Sequence, residues 1–235
     1  MGKSNIDILP ELMYRKSCRR FKNERLSDED ILGILEAGRL SPSGHNFQGW
    51  KFIIIKKQDT KDKIVELVIE YRRKYYKFLK YAPVLIAIVV DPESTTAELD
   101  CAIAGYSMQL EAWSRGIGSC MAAYHPAIVE ESEIATKDLL GINQKLYIST
   151  IIAFGYPGDN GYRETKRKPL EKIVCREKYY EPLITMKIFE RKRDRRSADE
   201  RGDFQPDNIA CPVCKIPSAL IWVYGELYCE ECGYC

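Results

Sequence analysis

The feature that most constrains the fold is a run of seven consecutive apolar residues, VLIAIVV, from Val84 to Val90. It follows Pro83, is closed by Asp91 and is rich in β-branched residues, so it predicts a strand. A strand without polar positions must be buried on both faces. We therefore expect a central strand with a layer packed on each side. The run is far shorter than the ~18 residues of a membrane-spanning helix.

Helices and further strands are expected around this strand. Ser27 and Asp30 resemble a capping box that opens a helix ending at Pro42. The aromatic and β-branched run WKFIIIKK, residues 50–57, predicts a strand. Further along, the sequence predicts helices over residues 61–80, 96–115 and 127–140, a short strand in MAAYH (121–125) and a strand over residues 145–157. This alternation predicts a layered α/β or α+β sandwich.

The helix expected over residues 96–115 is apolar on nearly every side, and Gly116 and Gly118 end it. A helix without a polar face lies either in a large core or in a subunit interface. The apolar positions are Leu99, Ile103, Tyr106, Leu110 and Trp113.

The composition bears on the location and the partners of the protein. The net charge is only +2, so neither nucleic acid nor an anionic membrane is expected as a partner. The N-terminus lacks the features of a secretory signal, and a cytoplasmic protein is expected. Five of the nine cysteines fall in residues 211–235. Such a terminal cluster of CxxC pairs is typical of metal binding in a reducing compartment.

Two segments near the start carry the residue types that a phosphorylated, planar ligand needs. RKSCRRF, residues 15–21, holds four cationic side chains and a hydroxyl, and such cations bind phosphate. SPSGHNFQGW, residues 41–50, is a Pro- and Gly-punctuated loop whose Asn46 and Gln48 can reach ring heteroatoms. Taken alone, an Arg-rich run is usually a solvated helix end.

Two later segments have a similar character. The glycines of GIGSC, residues 116–120, let backbone approach a flat ligand, although they are also typical of a helix end and a turn. FGYPGDNGYRETKRKPL, residues 154–170, ends in a second basic cluster that includes Lys166 and Lys168. This cluster either converges on the same phosphate or lies in a solvated loop.

Taken in order, these four segments resemble the FMN-dependent nitroreductase family, and the resemblance covers residues 9–174. It implies an α+β fold, in which a layered sandwich has a central, mainly antiparallel sheet flanked by helices. It also implies FMN as cofactor, NAD(P)H as co-substrate and an obligate homodimer with two flavin sites at its interface. The apolar helix over residues 96–115 suits such an interface.

The resemblance also implies a set of cofactor-binding residues. The FMN phosphate, ribityl chain and pyrimidine edge are surrounded by Arg15, Lys16, Ser17 and Arg19. The flavin is lined by Pro42, Ser43, Gly44, Asn46 and Gln48, in a loop that the second subunit presents in part. The ring lies beside the backbone of Met121, Ala122 and Ala123, and Lys166 and Lys168 close on the phosphate. No catalytic side chain is implied, because the flavin carries the chemistry.

The loop departs from the family pattern at two positions. Gly44 stands where a small residue such as Ala is usual, and Gly49 stands where Pro usually follows the Gln. Neither change removes a ligand group. His45 lies in the same loop, where a lone histidine is more often a plain surface residue than a proton relay.

The C-terminal cysteines form two CxxC pairs separated by fourteen residues, namely Cys211 with Cys214 and Cys229 with Cys232. Between them, SALIWVYGELY predicts a small hairpin that turns at Gly225. Four thiolates in this pattern are typical of a zinc ribbon, although CxxCGY also resembles an iron-binding rubredoxin knuckle. Cys235 forms a third CxxC with Cys232 and leaves the fourth ligand open. A module of this size needs bound metal to fold.

These features divide the chain into three regions. Residues 1–186 are expected to form the FMN-binding nitroreductase-like domain, and residues 209–235 the metal-binding ribbon. Residues 187–208 lie between them as a charged helix extension or linker, because residues 187–207 hold seven basic and six acidic side chains.

The sequence thus predicts an NAD(P)H-dependent flavin oxidoreductase that passes a hydride to a nitroaromatic, a quinone or a similar small acceptor by a ping-pong mechanism. Reductive dehalogenation on the same fold is a variant, with residues 66–80 as a candidate lid. The alternative is a redox-sensing regulator or electron-transfer protein whose ribbon binds nucleic acid, protein or redox iron. The acceptor, the choice between NADH and NADPH and the metal of the tail stay open at this point.

Overall fold

A four-stranded antiparallel sheet lies at the centre of the computed structural model. Its strands are β1 (Trp50–Ile55), β2 (Val84–Val90), β3 (Gly118–Ala123) and β4 (Tyr147–Gly155), in the spatial order β1-β2-β4-β3. The structure describes residues 8–70, 74–124, 126–162, 165, 167–179, 220–223 and 226–229. In the strand order β1-β2-β4-β3, β2 and β4 are central and β3 lies at one edge of the sheet.

Strand β2 confirms the expectation drawn from its apolar run, because all seven residues are buried. Alternate side chains enter two separate cores. Leu85 and Val89 pack on one face of the sheet, whereas Ile86 and Ile88 pack on the other. The continuous run of apolar residues thus serves two layers of helices at once.

Helices cover both faces of the sheet. On one face lie α2 (Asp28–Arg39) and α4 (Ala97–Ser114), and the short α1 (Pro10–Tyr14) contacts α4. On the other face lie α3 (Gln58–Glu70), α5 (Pro126–Leu140) and a 3₁₀ helix, Lys74–Tyr81. The layered sandwich with a central antiparallel sheet is thereby confirmed. Within the described residues, no helix combines the length and the apolar character needed to cross a bilayer.

The expected capping box opens α2. The Ser27 hydroxyl accepts a hydrogen bond from the Asp30 backbone N–H at 3.0 Å and donates one to the Asp30 carboxyl at 2.7 Å. At the end of α4, Gly116 adopts a φ of 72°, a conformation that glycine tolerates without strain. Local capping signals therefore place both helix ends correctly.

Two expected elements are wrong in detail. The helix expected over residues 61–80 ends at Glu70, and Lys74–Tyr81 winds as a 3₁₀ helix. The tighter winding places Tyr76 and Leu79 on the same side, and both are buried. Strand β3 begins at Gly118 rather than at Met121, so part of GIGSC belongs to the sheet. The strand extends because β4 offers partners as far as Gly155.

The predicted hairpin near the C-terminus is confirmed as β5 (Leu220–Val223) and β6 (Glu226–Cys229), which pair antiparallel. The turn at Gly225 lies outside the described residues, as do Cys211, Cys214 and Cys232. The expected boundaries at 186/187 and 208/209 also lie outside the described residues.

Candidate functional site

The basic segment of residues 15–21 lies beside the edge strand β3. Ser17 forms a parallel bridge with Ser119, and the Cys18 backbone N–H donates to the Ser119 carbonyl at 2.8 Å. The side chain of Gln109 on α4 donates to the Ser119 hydroxyl at 3.2 Å, which ties the helix to the same point. The segment that carries Arg15 and Arg19 is thereby fixed against β3, whose last three residues are Met121–Ala123.

Two cationic side chains of this segment influence the pKa of the Cys120 thiol. Burial raises the pKa of Cys120, while the charges of Arg19 and Arg15 and a hydrogen bond with Ser17 oppose that shift. Burial also raises the pKa of Cys18 to about 11. Both thiols therefore stay protonated at neutral pH and are poor nucleophiles. Arg15 and Arg19 thus both place positive charge in the neighbourhood of Cys120.

Arg15 is the residue whose environment points most directly to a ligand. Its guanidinium stacks on the Tyr106 ring of α4, with 5.4 Å from Cζ to the ring centroid. Its Nε is buried and has no hydrogen-bond acceptor among the described residues. A buried donor left without a partner costs about 1–3 kcal/mol, and more for a charged group. An anionic oxygen placed beside Arg15 would remove that cost.

The 3₁₀ helix Lys74–Tyr81 contacts the same region. The Tyr76 hydroxyl donates to the Ala123 carbonyl at 2.7 Å, at the end of β3. The Arg19 guanidinium lies 5.9 Å from the Phe78 ring centroid. Tyr76 and Phe78 are both buried, so this helix forms a packed wall beside the expected flavin-binding residues.

The loop of residues 41–49 has an unusual backbone. His45, Asn46 and Gln48 adopt φ values of 51°, 57° and 52°, in the left-handed region that favours glycine. For residues other than Gly such conformations cost about 1–3 kcal/mol each, and they cluster at functional sites. Ser43 supports the turn, since its carbonyl accepts from the Asn46 N–H and its hydroxyl accepts from the Gln48 N–H, both at 3.0 Å. The amide side chains of Asn46 and Gln48 are left exposed.

Sequence reasoning missed one residue that holds this loop. Asp100, in the first turn of α4, is 4% exposed and accepts a hydrogen bond from the Gly44 backbone N–H at 3.1 Å. Its other carboxyl oxygen accepts from the Thr96 hydroxyl at 3.0 Å. The helix carries three acidic residues, Glu98, Asp100 and Glu111, and no pattern in the sequence sets Asp100 apart from the other two. Nothing in the sequence connects Asp100 to a loop 56 positions away.

Helix α4 carries both parts of the candidate site. Asp100 contacts the 41–49 loop and Tyr106 contacts Arg15. These two positions are six residues apart, about 9 Å along the helix axis. The helix therefore brings segments that are separate in sequence onto one support.

The second basic cluster is located only in part. Tyr162 forms an antiparallel bridge with Cys18, and the Arg19 N–H donates to the Gly161 carbonyl at 3.3 Å. The turn before the cluster thus runs beside the 15–21 segment. Lys168 is exposed, and Lys166 lies outside the described residues. Convergence of these lysines with Arg15 stays a prediction.

One face of α4 is apolar and exposed. Leu99 is 66% exposed, Ile103 42% and Tyr106 38%. The sequence left two environments open for this helix, a core or an interface. Leu99, Ile103 and Tyr106 lie outside the core of the single chain. Among the described residues, no group of three or more His, Cys, Asp or Glu side chains is arranged to hold a metal ion.

Comparison with known proteins agrees with this architecture. The sequence matches the nitroreductase family over residues 12–156. A protein of Archaeoglobus fulgidus with the provisional name NADH dehydrogenase/NAD(P)H nitroreductase is 30% identical over 158 residues, covering 65% of this chain and 87% of that protein. The iodotyrosine deiodinase of Thermotoga neapolitana is 26% identical over 165 residues, covering 62% of this chain and 86% of that protein.

A solved structure shows the same fold. The FMN-dependent nitroreductase of Clostridium difficile superposes with a TM-score of 0.64 at 25% identity, covering 73% of this chain and all of that protein. The family match spans well over half of the chain and includes the sheet, α2, α4 and the basic segment beside β3. The chain therefore belongs to the nitroreductase family and is an oxidoreductase.

Proposed function

We propose that this protein is an FMN-dependent oxidoreductase that passes a hydride from NAD(P)H to a nitroaromatic, a quinone or a similar small acceptor by a ping-pong mechanism. The observation that carries the proposal is the buried Arg15 Nε, which has no acceptor among the described residues. The FMN-dependent relative from Clostridium difficile supports the choice of cofactor. The named relatives are oxidoreductases, and they favour this reading over a regulator.

The residues present fit the chemistry of FMN. A phosphate is dianionic near neutral pH and accepts bidentate hydrogen bonds from guanidinium groups. The charges of Arg19 and Arg15 both oppose the rise in the pKa of Cys120 that burial causes, so two positive charges lie near this edge of the sheet. Because Tyr106 already holds the Arg15 guanidinium, little side-chain entropy remains to be lost on binding.

We assign the binding residues accordingly. The phosphate, the ribityl chain and the pyrimidine edge are surrounded by Arg15, Lys16, Ser17 and Arg19, with Lys166 and Lys168 closing on the phosphate. The ring is lined by Pro42, Ser43, Gly44, Asn46 and Gln48 and by the backbone of Met121, Ala122 and Ala123.

Bound FMN supplies the hydride chemistry, because it accepts two electrons from a nicotinamide and returns them to the acceptor. The protein orients the flavin ring and polarises it. Lys16 or Arg19 stabilises negative charge at the pyrimidine edge. The exposed amides of Asn46 and Gln48 hold ring heteroatoms, and the wall formed by Tyr76 and Phe78 limits access of water from one side.

Reductive dehalogenation is the variant that one relative favours, since the iodotyrosine deiodinase of Thermotoga neapolitana matches 62% of this chain. Residues 66–80 were a candidate lid for such a substrate. Within this segment Tyr76, Phe78 and Leu79 are buried, so the 3₁₀ helix is packed on the core and forms one side of the proposed site. A nitroaromatic or quinone acceptor therefore stays our first choice.

Homodimerisation completes the proposed site. The exposed apolar face of α4, formed by Leu99, Ile103 and Tyr106, is the surface we assign to the partner subunit. Tyr106 also stacks on Arg15. A subunit packed on this face would bury the Arg15 region further and strengthen its attraction for phosphate.

We propose in addition that residues 209–235 bind one metal ion through Cys211, Cys214, Cys229 and Cys232. Leu220 pairs with Cys229, so the chain enters β5 and leaves β6 at the same end of the hairpin. The two CxxC pairs flank that end in sequence. Zinc is our choice, because four thiolates around a small hairpin form a closed tetrahedral site.

The metal proposal has a direct test. Inductively coupled plasma mass spectrometry of the purified protein should find about one zinc ion per chain. The Cys214→Ser variant should retain only a small fraction of that zinc. Cys175→Ser, an exposed cysteine outside the cluster, is the matched control and should keep full occupancy. Iron in place of zinc would correct the metal but keep the site. Protein without either metal would refute the site.

Activity is tested by turnover. Without dioxygen, protein reconstituted with FMN should oxidise more than one equivalent of NADH or NADPH only when a nitroaromatic or quinone is supplied, with the parallel double-reciprocal lines of a ping-pong reaction. Deiodination of an iodotyrosine without nitroaromatic reduction would select the dehalogenase variant. Absence of any NAD(P)H oxidation with bound FMN would refute the proposed function.

A further inference from the structure

We propose that Asp100 is a positioning residue that sets the conformation of the flavin loop, residues 42–48, through the backbone of Gly44. The inference rests on the proposed FMN site, because the loop is assigned to the flavin there. Asp100 is not among the residues assigned to FMN and belongs to the first turn of α4.

The contact is a partly buried hydrogen bond between distant parts of the chain. The Gly44 N–H donates to one carboxyl oxygen of Asp100 at 3.1 Å, and the Thr96 hydroxyl donates to the other at 3.0 Å. Ser94 lies 3.2 Å from the same hydroxyl. Asp100 is only 4% exposed, so water does not replace these donors easily. The carboxyl group is thus held by two donors and in turn holds Gly44.

The loop needs such a fixed point. His45, Asn46 and Gln48 lie within four residues after Gly44 and adopt the left-handed region. Within the turn, Ser43 accepts from the Asn46 and Gln48 N–H groups, and the Gly44 carbonyl accepts from the Phe47 N–H at 3.0 Å. A strained segment persists only when surrounding contacts over-determine it. Asp100 provides the described contact that ties the start of the turn to a rigid helix. Without it, the amides of Asn46 and Gln48 would sample several positions.

Thr96 explains why position 44 is a glycine. A Cβ built on Gly44 would lie 2.3 Å from the Thr96 hydroxyl oxygen and 2.8 Å from its methyl group. An alanine there would push Thr96 away from Asp100 or push the loop backbone outward. Gly44, Thr96 and Asp100 therefore form one unit, in which a change at one position should alter the effect of a change at another.

Substitutions at Asp100 separate positioning from folding. Asp100→Ala removes both acceptors and should weaken FMN binding about tenfold, which is the scale of one lost buried hydrogen bond. Asp100→Asn can still accept from Gly44 and can donate to Thr96, so binding should stay within about threefold of wild type. Glu111→Ala, which removes a carboxylate from the other end of α4, should bind FMN as wild type does.

A double-mutant cycle tests the unit without touching Asp100. Gly44→Ala should weaken FMN binding about tenfold, whereas Thr96→Ala alone should change it by about threefold or less. Because Thr96→Ala removes the atoms that clash, the double variant should bind FMN about as well as Thr96→Ala alone. Strictly additive losses would overturn the inference.

A readout in flavin-free protein separates this inference from the cofactor assignment. The Gly44 amide should be protected from hydrogen exchange in wild type and in Asp100→Asn, and should exchange at least about tenfold faster in Asp100→Ala. Equal protection in all three proteins would refute the role of Asp100, whether or not FMN binds. Wild-type protein that shows this protection but binds no FMN would instead refute the proposed function.

Discussion

Arg15 is the single residue on which the cofactor assignment depends most. Replacing it with Gln removes the charge and the buried donor that lacks an acceptor. Because a hydrogen bond to a charged group contributes about 1.5–3 kcal/mol, Arg15→Gln should raise the FMN dissociation constant about 10- to 100-fold. Fluorescence titration of FMN into the flavin-free protein measures this directly.

The neighbouring cation at position 20 provides the control for Arg15. It belongs to the same basic segment, but it is not among the assigned phosphate ligands. Arg20→Gln makes the same change in net charge, and we expect FMN binding within about twofold of wild type. An equal loss of FMN affinity in the Arg15→Gln and Arg20→Gln variants would mean that only the overall charge matters. That result would contradict a specific role for Arg15.

At the scale of single residues, the sequence supplied candidate ligand side chains but not the residues that support them. Arg15, Ser17 and Arg19 could be assigned because their spacing resembles a family. Asp100 and Tyr106 could not be, since each acts on a residue far away in the chain and their function depends on how α4 packs. The sequence also does not show which of the three acidic residues of α4 is buried.

The N-terminus of α2 gives a prediction at the scale of one element. The Ser27 hydroxyl accepts from the Asp30 N–H, so Ser27→Ala should lower the free energy of unfolding by about 1 kcal/mol in urea denaturation. Asp30→Asn should also destabilise, because Asp30 lies 3.4 Å from Arg115 across the helix pair. Glu29→Gln, in the same turn but outside the box, should change stability little.

The Asp30 carboxyl group also makes the free energy of unfolding depend on pH. The hydrogen bond from Ser27 lowers the pKa of Asp30, partial burial opposes this, and Arg115 and Tyr156 lower it further. A depressed pKa in the folded state means that the stabilisation is present above the unfolded value of about 3.9 and is lost as the pH falls through the folded value. Wild-type protein should therefore lose more stability than Asp30→Asn on going from neutral pH to about pH 3. Parallel profiles would contradict the role of this carboxyl.

Elements with strong local signals were predicted well, and those defined by tertiary contacts were not. Strand β2 and helices α2 and α4 follow from apolar runs, a capping box and terminal glycines. The 3₁₀ helix Lys74–Tyr81 was predicted as a continuation of α3, because its winding depends on how Tyr76 and Leu79 meet the core. Strand β3 was predicted too short, because its start is set by pairing with β4.

At the scale of the whole molecule, the exposed face of α4 predicts a dimer. Leu99→Glu should place a charge on the proposed interface, convert the protein to a monomer in light scattering and weaken FMN binding. Ile134→Glu makes the same type of change at a position of α5, on the opposite side of the sheet, and should leave a dimer. A wild-type monomer would contradict the proposed assembly.

The overall architecture brings separate segments of the chain close together. The basic segment of residues 15–21, the loop of residues 41–49 and strand β3 all meet at α4 or beside it. Their order along the chain allowed the family to be predicted. Their meeting could not be derived from spacing alone, because it depends on the strand order β1-β2-β4-β3.

The most direct measurement is the visible absorption spectrum of purified full-length protein after equilibration with FMN and removal of free ligand. We expect the two visible flavin bands at a ratio of about one FMN per chain, as a buried, pre-oriented phosphate site requires. A colourless protein that retains no FMN would contradict the central claim that Arg15 and its neighbours form a flavin phosphate site.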